Sequence, residues 1–101
     1  MTTRLEQLHE FLNDDPNDPF NIYALALEYQ KSDVQRSKAF FDQLLNEHPE
    51  YVPTYYHAAN LYLGMGLPLE AVAILEKGID VARRKNESKA VRELQGVLDE
   101  V

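Results

Sequence analysis

Apolar residues along this chain recur at three- and four-residue spacing, and no window alternates with period two for long enough to suggest a strand. The pattern predicts six helices. Leu5, Leu8, Phe11 and Leu12 share one face of a first helix over residues 3–13. A second spans 19–30, with Asp18 placed to cap the free amides of its first turn. A third starts after Asp33 and ends before Pro49, and carries Phe40, Phe41, Leu44 and Leu45. A fourth spans 53–63 and a fifth 68–84. The sixth starts after Asn86, read here as its cap, and runs to near residue 101. Prolines 16, 19, 49, 53 and 68 fall between the periodic stretches, and Gly64 and Gly66 close one of them. Proline suits a first helical turn and glycine the position after a last one, so these residues mark ends. The connections are short, so successive helices are expected to pack antiparallel.

The pattern also repeats. Sliding the sequence by 33 residues sets Pro16 on Pro49, Ile22 on Tyr55, Tyr23 on Tyr56, Ala26 on Ala59 and Tyr29 on Tyr62. After the next turn the best offset is 34: Ser37 meets Ala71, Phe41 meets Leu75, and Leu44 meets Gly78. The shift falls where Lys31-Ser32-Asp33 stands against the longer Gly64-Met65-Gly66-Leu67, and turns absorb such changes easily. Small residues at Ala26, Ala59 and Ala71 let helix backbones approach, while Tyr29, Tyr62, Phe41 and Leu75 fill the space beside them. A helix pair of this kind cannot bury its apolar face alone, so pairs must stack.

The ordered set resembles the tetratricopeptide repeat, a helix–turn–helix unit of about 34 residues. In the second copy the matching residues are Tyr55, Ala58-Ala59, Tyr62, Ala71, Leu75 and Gly78, with Arg83 in place of the closing proline. In the first they are Ile22, Leu25-Ala26, Tyr29, Ser37, Phe41, Leu44 and Pro49. The resemblance implies an all-α fold, a right-handed superhelix of antiparallel helix pairs. It is close over residues 18–85 and loose at the two ends. It divides the chain into an N-terminal half-repeat helix (1–17), repeat 1 (18–51), repeat 2 (52–85) and a capping helix (86–101). Leu8, Phe11 and Pro16 align with Phe41, Leu44 and Pro49, which makes the first helix a helix B. Val91, Leu94 and Leu98 align with Tyr55, Ala58 and Tyr62, which makes the sixth a helix A.

Composition narrows the partners. The net charge is −7, which disfavours nucleic acid and anionic membrane surfaces. The basic run Arg83-Arg84-Lys85 is read as complementing a helix C-terminus. No apolar run is long enough for a membrane span, and the N-terminus reads as an amphipathic helix rather than a secretory signal. With no cysteine, thiolate metal sites, disulfides and cysteine nucleophiles are absent, and a cytoplasmic setting is expected. His9, His48 and His57 are far apart and form no ligand pattern. Asp14-Asp15 and Asp99-Glu100 read as solvated pairs, and no serine lies in a nucleophile-elbow context. No cofactor, metal or enzymatic activity is expected.

The expected function is protein–protein interaction. In repeats of this family the helices A line a groove that receives a peptide or partner protein. Carried over residue by residue, the groove positions are Phe20, Tyr23, Leu27 and Gln30 in the first copy and Pro53, Tyr56, Asn60 and Leu63 in the second, with Lys89 and Arg92 along the same side. Tyr29 and Tyr62 are assigned to packing. The family's carboxylate clamp is mostly missing: Tyr23, Leu27 and His57 stand where Lys, Asn and Asn are expected, Glu93 replaces the last cation, and only Lys89 matches. The alternative is a self-associating scaffold, a homodimer formed through the apolar edge of the first helix at Leu5, Leu8 and Leu12.

Overall fold

The structure is a computed structural model that describes residues 2–101. Among the described residues all regular structure is helical: α1 (Arg4–Asp14), α2 (Pro19–Tyr29), α3 (Val34–Glu47), α4 (Pro53–Gly64), α5 (Pro68–Arg84) and α6 (Ser88–Glu100). None of these helices is long and apolar enough to cross a membrane. The chain divides into two compact units, Met1–His48 and Pro49–Val101.

Local chemistry sets the helix starts. Thr3 caps α1 by accepting a bond from the Glu6 amide at 3.1 Å, and Asp18 caps α2 through the Phe20 amide at 2.9 Å. Asp33 caps α3 through the Arg36 amide at 3.2 Å. Helices α2, α4 and α5 each begin with proline, whose missing N–H has no role in a first turn.

Two helix ends share one device. Gly66 has φ +77, its amide donates to Leu63, and the Leu67 amide reaches back to the Tyr62 carbonyl at 2.9 Å. Asn86 has φ 59, its amide donates to Arg83, and the Glu87 amide reaches the Ala82 carbonyl at 2.9 Å. Both are Schellman closures with one left-handed residue. Asn86 therefore ends α5 and does not cap α6, and the residue flanking α6 is Glu87. Asparagine suits both positions because its side chain bonds locally and it tolerates positive φ, so composition alone does not separate the two roles. The basic run lies where expected, with Arg83 and Arg84 in the last turn of α5. Arg84 also pairs with Glu50 at 3.3 Å, and Lys85 donates to the Glu50 carbonyl at 2.8 Å.

In the first unit α2 packs against both α1 and α3. Ile22, Leu25, Ala26 and Tyr29 of α2, with Phe41 and Leu44 of α3, form its interior together with Leu8 of α1. Ser37 stands where the second copy has Ala71, and its buried hydroxyl donates to the Ala26 carbonyl at 2.7 Å. Asn21 holds the end of α1 by donating to the Phe11 and Asp15 carbonyls at 3.2 and 3.1 Å. Tyr29 is a hub for all three helices. Its hydroxyl lies 2.7 Å from His9 Nε2 on α1 and accepts from Arg36 of α3 at 3.3 Å, while its ring stacks on Phe40 at 5.7 Å.

In the second unit α5 packs against α4 and α6, and α4 also meets α6. Tyr55, Ala58, Ala59 and Tyr62 of α4 are buried, as are Ala71, Leu75, Gly78 and Ile79 of α5 and Leu94 of α6. Helices α4 and α5 approach closely at Gly78, where an added Cβ would stand 2.6 Å from Tyr55 Cβ. The Tyr55 hydroxyl donates to the Pro49 carbonyl at 2.6 Å, tying the segment before α4 to that helix.

Candidate functional site

Helix α2 buries one face and leaves another open. Phe20, Tyr23 and Leu27 are spaced three and four residues apart, so they stand on one side of the helix. They line a cleft of about 350 Å³ together with Arg4, Ala24, Glu28 and Lys31. The Phe20 and Tyr23 rings lie 6.5 Å apart at a tilt of 48°, and Phe20 is 58% exposed. Burial of its ring stem raises the Tyr23 pKa, so its phenol is neutral at physiological pH. Lys31 pairs with Glu28 at 3.2 Å, and Arg4 reaches the cleft from α1. The cleft is aromatic toward the start of α2 and ionic toward its end. Gln30, half-buried at the C-cap of α2, is not in its lining.

Helix spacing alone could have added Ala24, Glu28 and Lys31 to the residues expected here, since they continue the same stripe. Arg4 comes from another helix, and nothing in its local sequence connects it to the stripe.

In the second unit the open side of α4 carries Tyr56, Asn60 and Leu63 at four- and three-residue spacing. Tyr56 is 38% exposed and meets His57 edge-on at 5.4 Å. Asn60 is exposed, and its amide donates to the Tyr56 carbonyl at 3.0 Å, so one of its donors is engaged within the helix. Pro53 is exposed and Leu63 half-buried. Burial lowers the pKa of His57, which keeps the ring neutral beside Tyr56. Lys89 and Arg92 are exposed on α6. Lys89 lies 3.9 Å from Glu93, and Arg92 lines a separate cleft of about 300 Å³ with Arg83, Asn86, Glu87, Ser88 and Val91. Tyr29 and Tyr62, assigned to packing, are 5% and 7% exposed.

The crystal structure of a tetratricopeptide repeat domain protein from Salinibacter ruber matches this chain at 39% sequence identity, with a TM-score of 0.78 over 82% of this chain and 93% of that one. The chain belongs to the tetratricopeptide repeat family. A solution NMR structure of a tetratricopeptide repeat domain protein from the same organism matches at 40% identity and a TM-score of 0.81, over 85% and 88% of the two chains. A protein of Bordetella parapertussis, also solved in solution, matches at a TM-score of 0.82 over 99% of this chain and 88% of that one. Its 20% identity makes this a likeness of fold. No protein-family model and no curated protein matches the chain. The tetratricopeptide fold is that of a protein-interaction module.

Proposed function

We propose that this tetratricopeptide repeat protein binds a peptide or partner protein through the helix-A face of each repeat. The carrying observation is the Phe20–Tyr23–Leu27 stripe, an aromatic surface left open on a helix whose opposite side is fully buried. Gln30 is the polar contact on α2; Tyr56, Asn60 and Leu63 supply the corresponding surface on α4, with Lys89 and Arg92 as polar contacts on α6. Tyrosine and phenylalanine offer contact area with few rotatable bonds to immobilise, which favours them in recognition surfaces. The division into two repeats with half-repeats at 1–17 and 86–101 is part of this reading, as is a cytoplasmic setting. Two repeats bury little area, so affinity is expected at about the micromolar level.

The test is a peptide selected from a random display library against the intact chain and titrated into isotope-labelled protein by NMR. Amides around Tyr23 and Tyr56 should shift. The Tyr23→Ala, Tyr56→Ala double variant should lose at least about tenfold in affinity, the loss of about 1.4 kcal/mol that removing one aromatic contact brings, with its helical circular dichroism intact. Unchanged affinity in the double variant rejects the assignment.

A further inference from the structure

The two terminal helices are complementary halves of a repeat. Helix α1 aligns with the B helices and α6 with the A helices, and each is exposed where its counterpart within a repeat is covered. Phe11 aligns with Leu44 and is 51% exposed, whereas Leu44 is 0% exposed. Val91 and Leu98 are half-buried, whereas Tyr55 and Tyr62, with which they align, are 1% and 7% exposed.

In the second unit the A–B contact at this position is Tyr55 against Gly78. The corresponding positions in the first unit hold Ile22 and Leu44, both fully buried. Carried to the termini, the same pairing sets Val91 of an A helix against Phe11 of a B helix. The three combinations are large with absent, medium with medium, and small with large. The site around Val91 fits such an occupant. Val91 is the apolar residue of the 300 Å³ cleft at the α5–α6 turn, whose other lining is Arg83, Asn86, Glu87, Ser88 and Arg92. A phenyl group fits that volume. Phe11 is itself flanked by carboxylates at Glu10, Asp14 and Asp15, all exposed.

Charge fixes the direction. The first half of α6 carries Lys89 and Arg92 with one acid, Glu93, and its end carries only the acids Asp99 and Glu100, whereas α1 begins with Arg4 and Glu6 and ends in acid alone. Antiparallel alignment, the geometry of an A–B pair, sets each acidic end against the mixed-charge start that holds the cations of the other helix. Parallel alignment sets the two acidic ends together, which costs energy at close range.

We propose that α6 of one copy docks on α1 of a second copy of this chain, with Phe11 of one seated at Val91 of the other between Arg83 and Arg92. The contact is heterologous and leaves one free end of each kind, so association extends beyond the dimer. It shares Arg92 with the proposed peptide face but neither Tyr23 nor Tyr56, and mass measurements on the chain without peptide test it independently of peptide binding.

Sedimentation velocity of the intact chain up to about 1 mM, the weak regime expected of a small interface, should show mass rising with concentration and falling back as salt is added. Phe11→Asp blocks the α1 end, and Arg83→Glu with Arg92→Glu blocks the α6 end. All three positions are exposed, so each variant should keep its helicity by circular dichroism. Each variant alone should stay monomeric, and their equimolar mixture should form a 1:1 dimer and nothing larger. A wild-type chain that is monomeric throughout overturns the proposal. Association that survives Phe11→Asp overturns it, as does a mixture that stays monomeric. Self-association of the arginine variant alone, the mark of an α1–α1 contact, overturns it as well.

Discussion

Gly78→Ala separates a close helix approach from ordinary helix chemistry. Alanine is the better helix former by about 1 kcal/mol, so propensity alone makes the change stabilising. The added methyl, however, would stand 2.6 Å from Cβ and 2.6 Å from Cγ of Tyr55, and 3.0 Å from its Cδ1. These atoms are the stem of a side chain 1% exposed, so no flexible tip can swing away and the two helix backbones must part. Overpacking of this kind costs about 1–3 kcal/mol, and the upper end applies when backbone must move. The net expectation is a loss of about 1–2 kcal/mol. Gly96 is the control: it too lies within a helix, but a Cβ there meets nothing within 4 Å. Gly96→Ala should gain about 0.5–1 kcal/mol. Urea unfolding followed by circular dichroism at low protein concentration reads both. At a slope near 1–2 kcal/mol per molar, Gly78→Ala lowers the midpoint by about 1 M and Gly96→Ala raises it by about 0.5 M. Equal upward shifts in the two variants would refute the close contact of α4 with α5.

Ser37→Ala should cost about 1 kcal/mol in the same assay, and an unchanged midpoint would mean that the 2.7 Å bond to Ala26 does not hold α2 to α3; the Ala26 carbonyl keeps its 3.3 Å bond from the Gln30 amide and is not orphaned. Thr54→Val should be stabilising by about 1 kcal/mol, because the Thr54 hydroxyl is buried without a hydrogen-bond partner and valine has nearly the same shape; a destabilised variant would reveal a bond to that hydroxyl. His57 titrates below its ordinary value of 6.5 in the folded chain because of burial. The unfolded chain therefore takes up the proton first, so the His57 contribution to stability is full above 6.5 and declines as pH falls from there toward the folded pKa. Comparing unfolding midpoints at about pH 7.5 and about pH 5.5, His57→Asn should show a shallower loss than the wild type, and identical slopes would refute a buried neutral ring.

The helix pattern was legible because its signals are local. Asp18, the three helix-opening prolines and the three- and four-residue spacing each act within a turn or two, and the helices lie where they point. Thr3 proved to be the cap of α1 instead of its first residue, and Gly64 ends α4 inside the helix. The repeat period carried the packing roles of Tyr29 and Tyr62, since residues at equivalent positions face equivalent neighbours. The side-chain bonds between helices were not legible. Nothing near Tyr29 in sequence announces His9 or Arg36, because their meeting depends on how α1 and α3 flank α2. Ser37 reads as a small residue, and its hydroxyl bond to Ala26 exists only because that carbonyl comes within 2.7 Å. In the candidate site, the stripe Phe20–Tyr23–Leu27 was named by the family resemblance, which carries groove positions over residue by residue. Arg4 was not, since its place in the cleft is set by the docking of α1.

Phe11 and Leu44 show how far equivalence in a repeat extends. The proposed half-repeat register gives both the same position of a B helix, and so one role. Leu44 is 0% exposed and Phe11 51% exposed, because α2 covers α3 at that position and no described helix covers α1 there. Truncation should therefore give unequal results. Leu44→Ala removes a fully buried side chain and leaves a cavity, a cost of about 2–5 kcal/mol. Such a loss is a large share of the roughly 5–15 kcal/mol typical of a domain, and a clearly lowered melting temperature is expected. Phe11→Ala removes the larger side chain but vacates little enclosed space, and should cost under about 1 kcal/mol when measured in dilute solution. Thermal unfolding at two concentrations then separates cover from core. In dilute protein the Phe11→Ala melting temperature should lie within a few degrees of the wild type, the size of shift that less than about 1 kcal/mol produces. In concentrated protein the wild type should gain stability that the variant does not, because association stabilises the folded state by mass action. A large loss for Phe11→Ala in dilute solution would place Phe11 in the interior, and the repeat register of α1 would have to be redrawn.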